Sequence, residues 1–232
     1  MEAWSNIKGF LTSIGMCISL HQEASIPKLS TKSPSFSSST LSNLFEQYKA
    51  IHLVDVDFGD KEKAFTWNQL SDVFAGLGKT DQKSWCVETA QGSQENAITP
   101  EDFLAPKRTH HRAYCSFLVQ KDRKAYDKLQ STLPVVEIPG VRWAYEPALW
   151  MFFGRNPLGN ADLPGRPDHT DSISADGTWH FQLSGTKKWI IRPSDDLIEH
   201  MSTCLNPSEM KKWSASSVVQ VTCRQGDILI IK

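Results

Sequence analysis

From Leu149 to Ile231 the chain alternates strand-length apolar runs with glycine and proline turn signals. That pattern restricts this part of the chain to an antiparallel sandwich or barrel. Leu149-Trp150-Met151-Phe152-Phe153 opens the block and a Gly/Pro-rich loop runs from Gly154 to Pro167. Trp179, Phe181 and Leu183 then alternate with His180 and Gln182. Lys188-Trp189-Ile190-Ile191 follows a Ser184-Gly185 turn, and Gly226-Asp227 leads into Ile228-Leu229-Ile230-Ile231. The expected fold is mainly β with flanking helices (α+β), built on a double-stranded β-helix, or jelly-roll, core. The helical patterns lie almost wholly before Leu149.

Those helices are marked by their start signals. Thr66 with Gln69 forms a capping box, and Leu70, Val73, Phe74 and Leu77 recur at helical spacing until Gly78. Thr99-Pro100-Glu101-Asp102 combines a cap, a proline in the first turn and acids near the helix N-terminus. A strand over residues 113–120, a helix over 121–131 and a strand over 134–138 follow, and a surface helix carrying His200 is expected over 195–201. Ile51 to Asp57 alternates as a half-buried strand should, with Asp55 and Asp57 on its outward face.

Residues 25–42 hold eight serines and little to bury, so they read as a linker or disordered tail. This divides the chain into an extension over 1–43 and a domain over 44–232.

Composition excludes several classes. A net charge of -1 supplies no general attraction for nucleic acid. The local basic run Lys107-Arg108-Thr109-His110-His111 is expected in a solvated loop. Five cysteines at unrelated spacings, with no Cys-x-x-Cys pair, indicate neither a disulfide framework nor a zinc ribbon. A reducing compartment, cytoplasmic or nuclear, is the simpler expectation. The apolar stretch from Gly9 to Leu20 falls short of the ~20 residues a bilayer span needs.

The chemistry concentrates in His169-Thr170-Asp171 and Gln182-Leu183-Ser184-Gly185-Thr186-Lys187-Lys188-Trp189. An imidazole and a carboxylate two residues apart on an extended segment point to the same side and can close on one metal ion. Two histidines and one carboxylate form the facial triad of non-haem Fe(II) oxygenases, so the pair makes up two-thirds of one. A His-x-Asp alone is weak evidence; its place between an apolar strand, a Gly/Pro loop and the Gln-Leu-Ser-Gly-Thr-Lys run strengthens it.

In that order, the elements from about residue 100 to 232 resemble the Jumonji-C/cupin-like family of Fe(II)- and 2-oxoglutarate-dependent oxygenases. The resemblance implies that His169 and Asp171 bind the metal and that Lys187, 16 residues after Asp171, binds the distal carboxylate of 2-oxoglutarate. It places the second metal histidine beyond a Gly-Asp-x-Leu strand, past Lys232, so the domain is expected to be incomplete at its C-terminal end. Strand 228–231 would then lack a neighbour at one sheet edge. Trp150 stands near where some members carry a tyrosine that contacts 2-oxoglutarate.

Hydroxylation or demethylation of a protein side chain is the implied activity, with RNA as the other substrate class, and it is expected to be impaired in the chain as written because the second metal histidine is absent. The alternative is a non-catalytic interaction module of the same fold. His180, beside Trp179 and Phe181, is expected to be a packed or edge residue and not an improvised third ligand.

Overall fold

The computed structural model describes residues 26–48, 50–56, 66–89, 92–94, 98–105, 112–132, 148–157, 162–170 and 177–232. They form a β-rich fold of mixed α/β composition with flanking helices, and the strands fall into sheets of four, four and two. The expected strand over 134–138, the basic run at 107–111 and Asp57 lie outside the described residues.

The first sheet has the order β1-β2-β10-β7. Strand β1 (Lys28–Ser30) runs parallel to β2 (Ala50–Val54), whereas β10 (Ile228–Ile231) is antiparallel to both β2 and β7 (Thr178–Phe181). An all-apolar strand suits an interior position, because both of its faces are covered. Ile228 and Ile230 pack with Leu41, Ile51 and Leu53, while Leu229 joins Val221 and Cys223. The expectation that 228–231 would have an unpaired edge is corrected: it is an inner strand, hydrogen-bonded on both sides. Strand β2 is also more buried than its alternation implied, since His52 on the polar side is buried too.

The serine-rich stretch is structured, which corrects the linker reading. Ser37 caps α1 (Ser38–Gln47) by accepting from the Thr40 amide, and Leu41 enters the core. Ser30 Oγ donates to Asp55 Oδ2 at 2.6 Å and Thr31 Oγ1 to the Asp55 carbonyl at 2.6 Å. Asp55 has a φ of 57°, a left-handed turn that a short polar side chain tolerates. Serine competes for backbone groups at caps and turns, so a high serine count describes ordered turns as well as disorder.

The second sheet, ordered β4-β3-β5-β6, comprises β3 (Cys86–Thr89), β4 (Gly92–Gln94), β5 (Ala113–Val119) and β6 (Leu149–Arg155). One face carries Cys115, Phe117, Val119 and Met151 against α2 (Trp67–Ala75), α4 (Pro100–Leu104) and α5 (Arg123–Thr132). The Thr66/Gln69 capping box and the Thr99 cap form as expected. Helix α2 ends at Gly76, before Gly78, and a single turn, α3 (Lys79–Gln82), follows.

Strands β8 (Thr186–Ile191) and β9 (Val219–Arg224) make the third sheet, connected through α6 (Asp195–Cys204) and α7 (Pro207–Ser216). Helix α7 was missed from sequence, although Asn206 and Glu209 form a capping box with Pro207 in the first turn. Neither helix has a buried residue. The β7–β8 and β9–β10 turns are stitched together: the Gln182 amide donates to the Asp227 carbonyl and the Gly226 amide to the Gln182 carbonyl. Gly185 and Gly226 adopt φ of 68° and 93°, which only glycine enters without strain. Among the described residues no helix is long and apolar enough to cross a membrane.

Burial has a measurable consequence at the cysteines. It pushes the Cys115 thiol from an ordinary 9.0 up to about 12 and the Cys223 thiol to about 11, with Glu88 and Asp227, respectively, adding to the shift. A raised folded-state pKa stabilises the protein fully below the unfolded value, and this contribution is lost as pH rises through the folded value. The urea midpoint should therefore fall between about pH 9 and pH 12. In native protein at pH 8, exposed Cys204 should react with a thiol reagent while Cys115 and Cys223 stay protected until unfolding.

Candidate co-substrate and metal site

Strand β8 alternates strictly, with Lys187, Trp189 and Ile191 inward and Thr186, Lys188 and Ile190 outward. Lys187 crosses the gap to the second sheet, where its Nζ donates to Tyr114 Oη at 2.7 Å. The ammonium lies 3.8 Å from the Trp189 ring centre, 5.2 Å from that of Tyr114 and 5.3 Å from that of Phe152. An aromatic wall with one phenol favours a cation through the ring quadrupoles.

Tyr114 belongs to the face of the second sheet opposite the helices. Its cross-strand neighbours are Glu88 and Gly154, and two residues further along Ser116 Oγ donates to Glu88 Oε1 at 2.8 Å. Burial holds the Tyr114 pKa well above the ordinary phenol range; the Glu88 charge adds to this and Arg166 opposes it. The phenol therefore keeps its proton and remains a donor as well as an acceptor. This wall combines an ammonium, a protonated phenol and a buried carboxylate.

The loop over 162–170 lies along the same face. A Cβ at Gly154 would meet Leu163 Cδ2 at 2.6 Å and Tyr114 Cδ2 at 3.1 Å, so the absent side chain is what lets Leu163 settle beside Tyr114. Further along β6 the Arg166 guanidinium sits 5.2 Å from the Trp150 ring centre, and Trp150 stacks on Phe152 at 5.3 Å. Arg112 Nη2 donates to the Asp162 carbonyl at 2.6 Å.

His169 ends this loop in an exposed, irregular segment where an extended strand was expected. Its Nδ1 is 2.6 Å from the Pro167 carbonyl oxygen. A carbonyl only accepts, so Nδ1 carries the proton and a neutral ring has its lone pair on Nε2, the form a metal ligand needs. Asp168 pairs with Arg192 Nε, and Arg192 Nη1 donates to Asp195 Oδ1 at 2.8 Å. These hydrogen bonds, that to Asp168 foremost, raise the guanidinium pKa further.

Asp171 lies outside the described residues, and so does its expected convergence with His169. Among the described residues no group of three or more His, Cys, Asp or Glu side chains could hold a metal ion. His180 is packed, as preferred from sequence: its ring centre is 4.5 Å from that of Trp189 and its Nε2 lies 3.2 Å from Thr178 Oγ1. His200 sits on the surface of α6, with Nε2 4.0 Å from Cys204 Sγ.

Sequence reasoning missed Tyr114, Glu88, Ser116 and Arg192. Strand alternation alone puts Tyr114 and Ser116 on one face of β5, but nothing in the sequence says that Lys187 meets that face. Comparison with protein-family models and with curated proteins yields no match for this chain.

Proposed function

We propose that this chain has a Jumonji-C/cupin-like jelly-roll fold and acts as an Fe(II)- and 2-oxoglutarate-dependent oxygenase on protein side chains, in the cytoplasm or nucleus. The observation that supports it is the Lys187–Tyr114 pair, a cation and a protonated hydroxyl 2.7 Å apart against an aromatic wall. A carboxylate entering there accepts charge-assisted hydrogen bonds from the ammonium and a further one from the phenol. Glu88 on the same wall works against a second carboxylate, so the grip rests on the Lys187 charge and not on neutral hydroxyls. In this assignment Tyr114 supplies the phenol that Trp150 lacks.

His169 and Asp171 would hold the metal, and the Nδ1 contact of His169 suits its ring to that role. Iron would supply the oxidising centre for C–H hydroxylation, with 2-oxoglutarate and O₂ as co-substrates. Hydroxylation beside nitrogen releases formaldehyde and is read out as demethylation. RNA is the other substrate class, and peptide and RNA substrates compete in the same succinate-release assay.

The direct test is calorimetric titration of 2-oxoglutarate into the chain with Mn(II) in place of iron. Lys187→Ala should weaken binding by about 10- to 100-fold, the equivalent of one hydrogen bond to a charged group. Tyr114→Phe should cost about 2- to 10-fold. Unchanged affinity in Lys187→Ala would remove this residue from the site, and 2-oxoglutarate binding that depends neither on the metal nor on Lys187 would remove the oxygenase reading.

A further inference from the structure

The strand that carries Lys187 also reaches the loop that carries His169. Arg192 directly follows β8, five positions after Lys187, and its guanidinium grips Asp168 through Nε while Nη1 bonds Asp195 at 2.8 Å and the Pro193 carbonyl at 3.1 Å. Asp168 lies between Pro167, whose carbonyl binds His169 Nδ1, and His169 itself. The segment that sets the imidazole's tautomer is therefore tied to β8 by one side chain. A guanidinium suits this because it holds two carboxylates from one rigid plane, which a lysine does not.

We infer that Arg192 is a positioning residue for His169: by holding Asp168 it keeps the Pro167 carbonyl against Nδ1 and presents Nε2 to the metal. The inference rests on the metal reading of His169 for its purpose, but the geometry it describes is independent of any metal. Arg192 and Asp168 side chains are 35% and 61% exposed, and such pairs add little to stability. Their loss should loosen the loop without unfolding the protein.

Two measurements on the full chain test this. The first is the nitrogen NMR pattern of the His169 ring, assigned with His169→Ala. The unaltered chain should show the Nδ1–H tautomer, whereas Arg192→Ala and Asp168→Asn should show exchange between both tautomers at an essentially unchanged Tm. Arg192→Lys, which keeps one charge contact, should recover most of the original pattern. The second is Co(II) binding, which Arg192→Ala should weaken about tenfold, as loss of a residue that orients a metal ligand does. If Arg192→Ala keeps both the single tautomer and the Co(II) affinity, the inference is wrong. If His169→Ala leaves Co(II) affinity unchanged, the metal reading fails instead, and the tautomer result still decides the role of Arg192.

Discussion

Replacing Asp81 by alanine should destabilise the protein by about 2 to 4 kcal/mol, because three part-buried backbone amides lose their shared acceptor together. Asp81 is only 4% exposed. Its carboxylate accepts from the Gln120, Lys121 and Asp122 amides at 2.8 to 3.1 Å, joining α3 to the turn between β5 and α5. The contact crosses about 40 residues of sequence, so it fixes the end of the strand that presents Tyr114. Asp81→Asn should be less harmful, since its carbonyl oxygen can take the Oδ2 position, which accepts from all three amides, and only the second contact of the Lys121 amide with Oδ1 is lost. Urea unfolding followed by circular dichroism measures both, and a loss below 1 kcal/mol in Asp81→Ala would mean that water replaces the carboxylate.

His52→Ala should be comparably costly, at about 3 to 5 kcal/mol, because it strands a carboxylate that is already largely out of water. His52 Nε2 lies 2.9 Å from Asp227 Oδ2, with side chains 8% and 14% exposed. The same Asp227 oxygen accepts from the Arg224 amide, which closes the β9–β10 turn. Loss of the imidazole therefore disturbs the entry to β10, the strand between β2 and β7. The double variant His52→Ala/Asp227→Asn should recover part of the loss by removing the stranded charge. If the double variant is no more stable than the single one, packing and not charge accounts for the effect of His52.

Local features of the fold were legible where the signal is short-ranged. The Thr66/Gln69 box, the Thr99-Pro100 start and the Gly185 and Gly226 turns depend on residues within one turn of each other, and all four appear in the structure. The Asn206-Pro207 start of α7 carried the same kind of signal and could have been read. Serine content misled because the same side chain serves a disordered tail and an ordered cap; Ser37 became a cap once Leu41 had a core to enter.

By itself the sequence determined that strands separated by turns would recur after Leu149 and that the chain would turn at Gly185 and at Gly226 before its last strand. Only the tertiary structure decided what Lys187 touches, because β8 and β5 are paired in no common sheet and their contact is made by side chains 73 residues apart. The same holds for the inner position of β10 and for the His52–Asp227 pair, 175 residues apart. Alternation along a strand records which face a side chain takes; which partner covers that face depends on how separate sheets pack, a long-range outcome that no local pattern encodes.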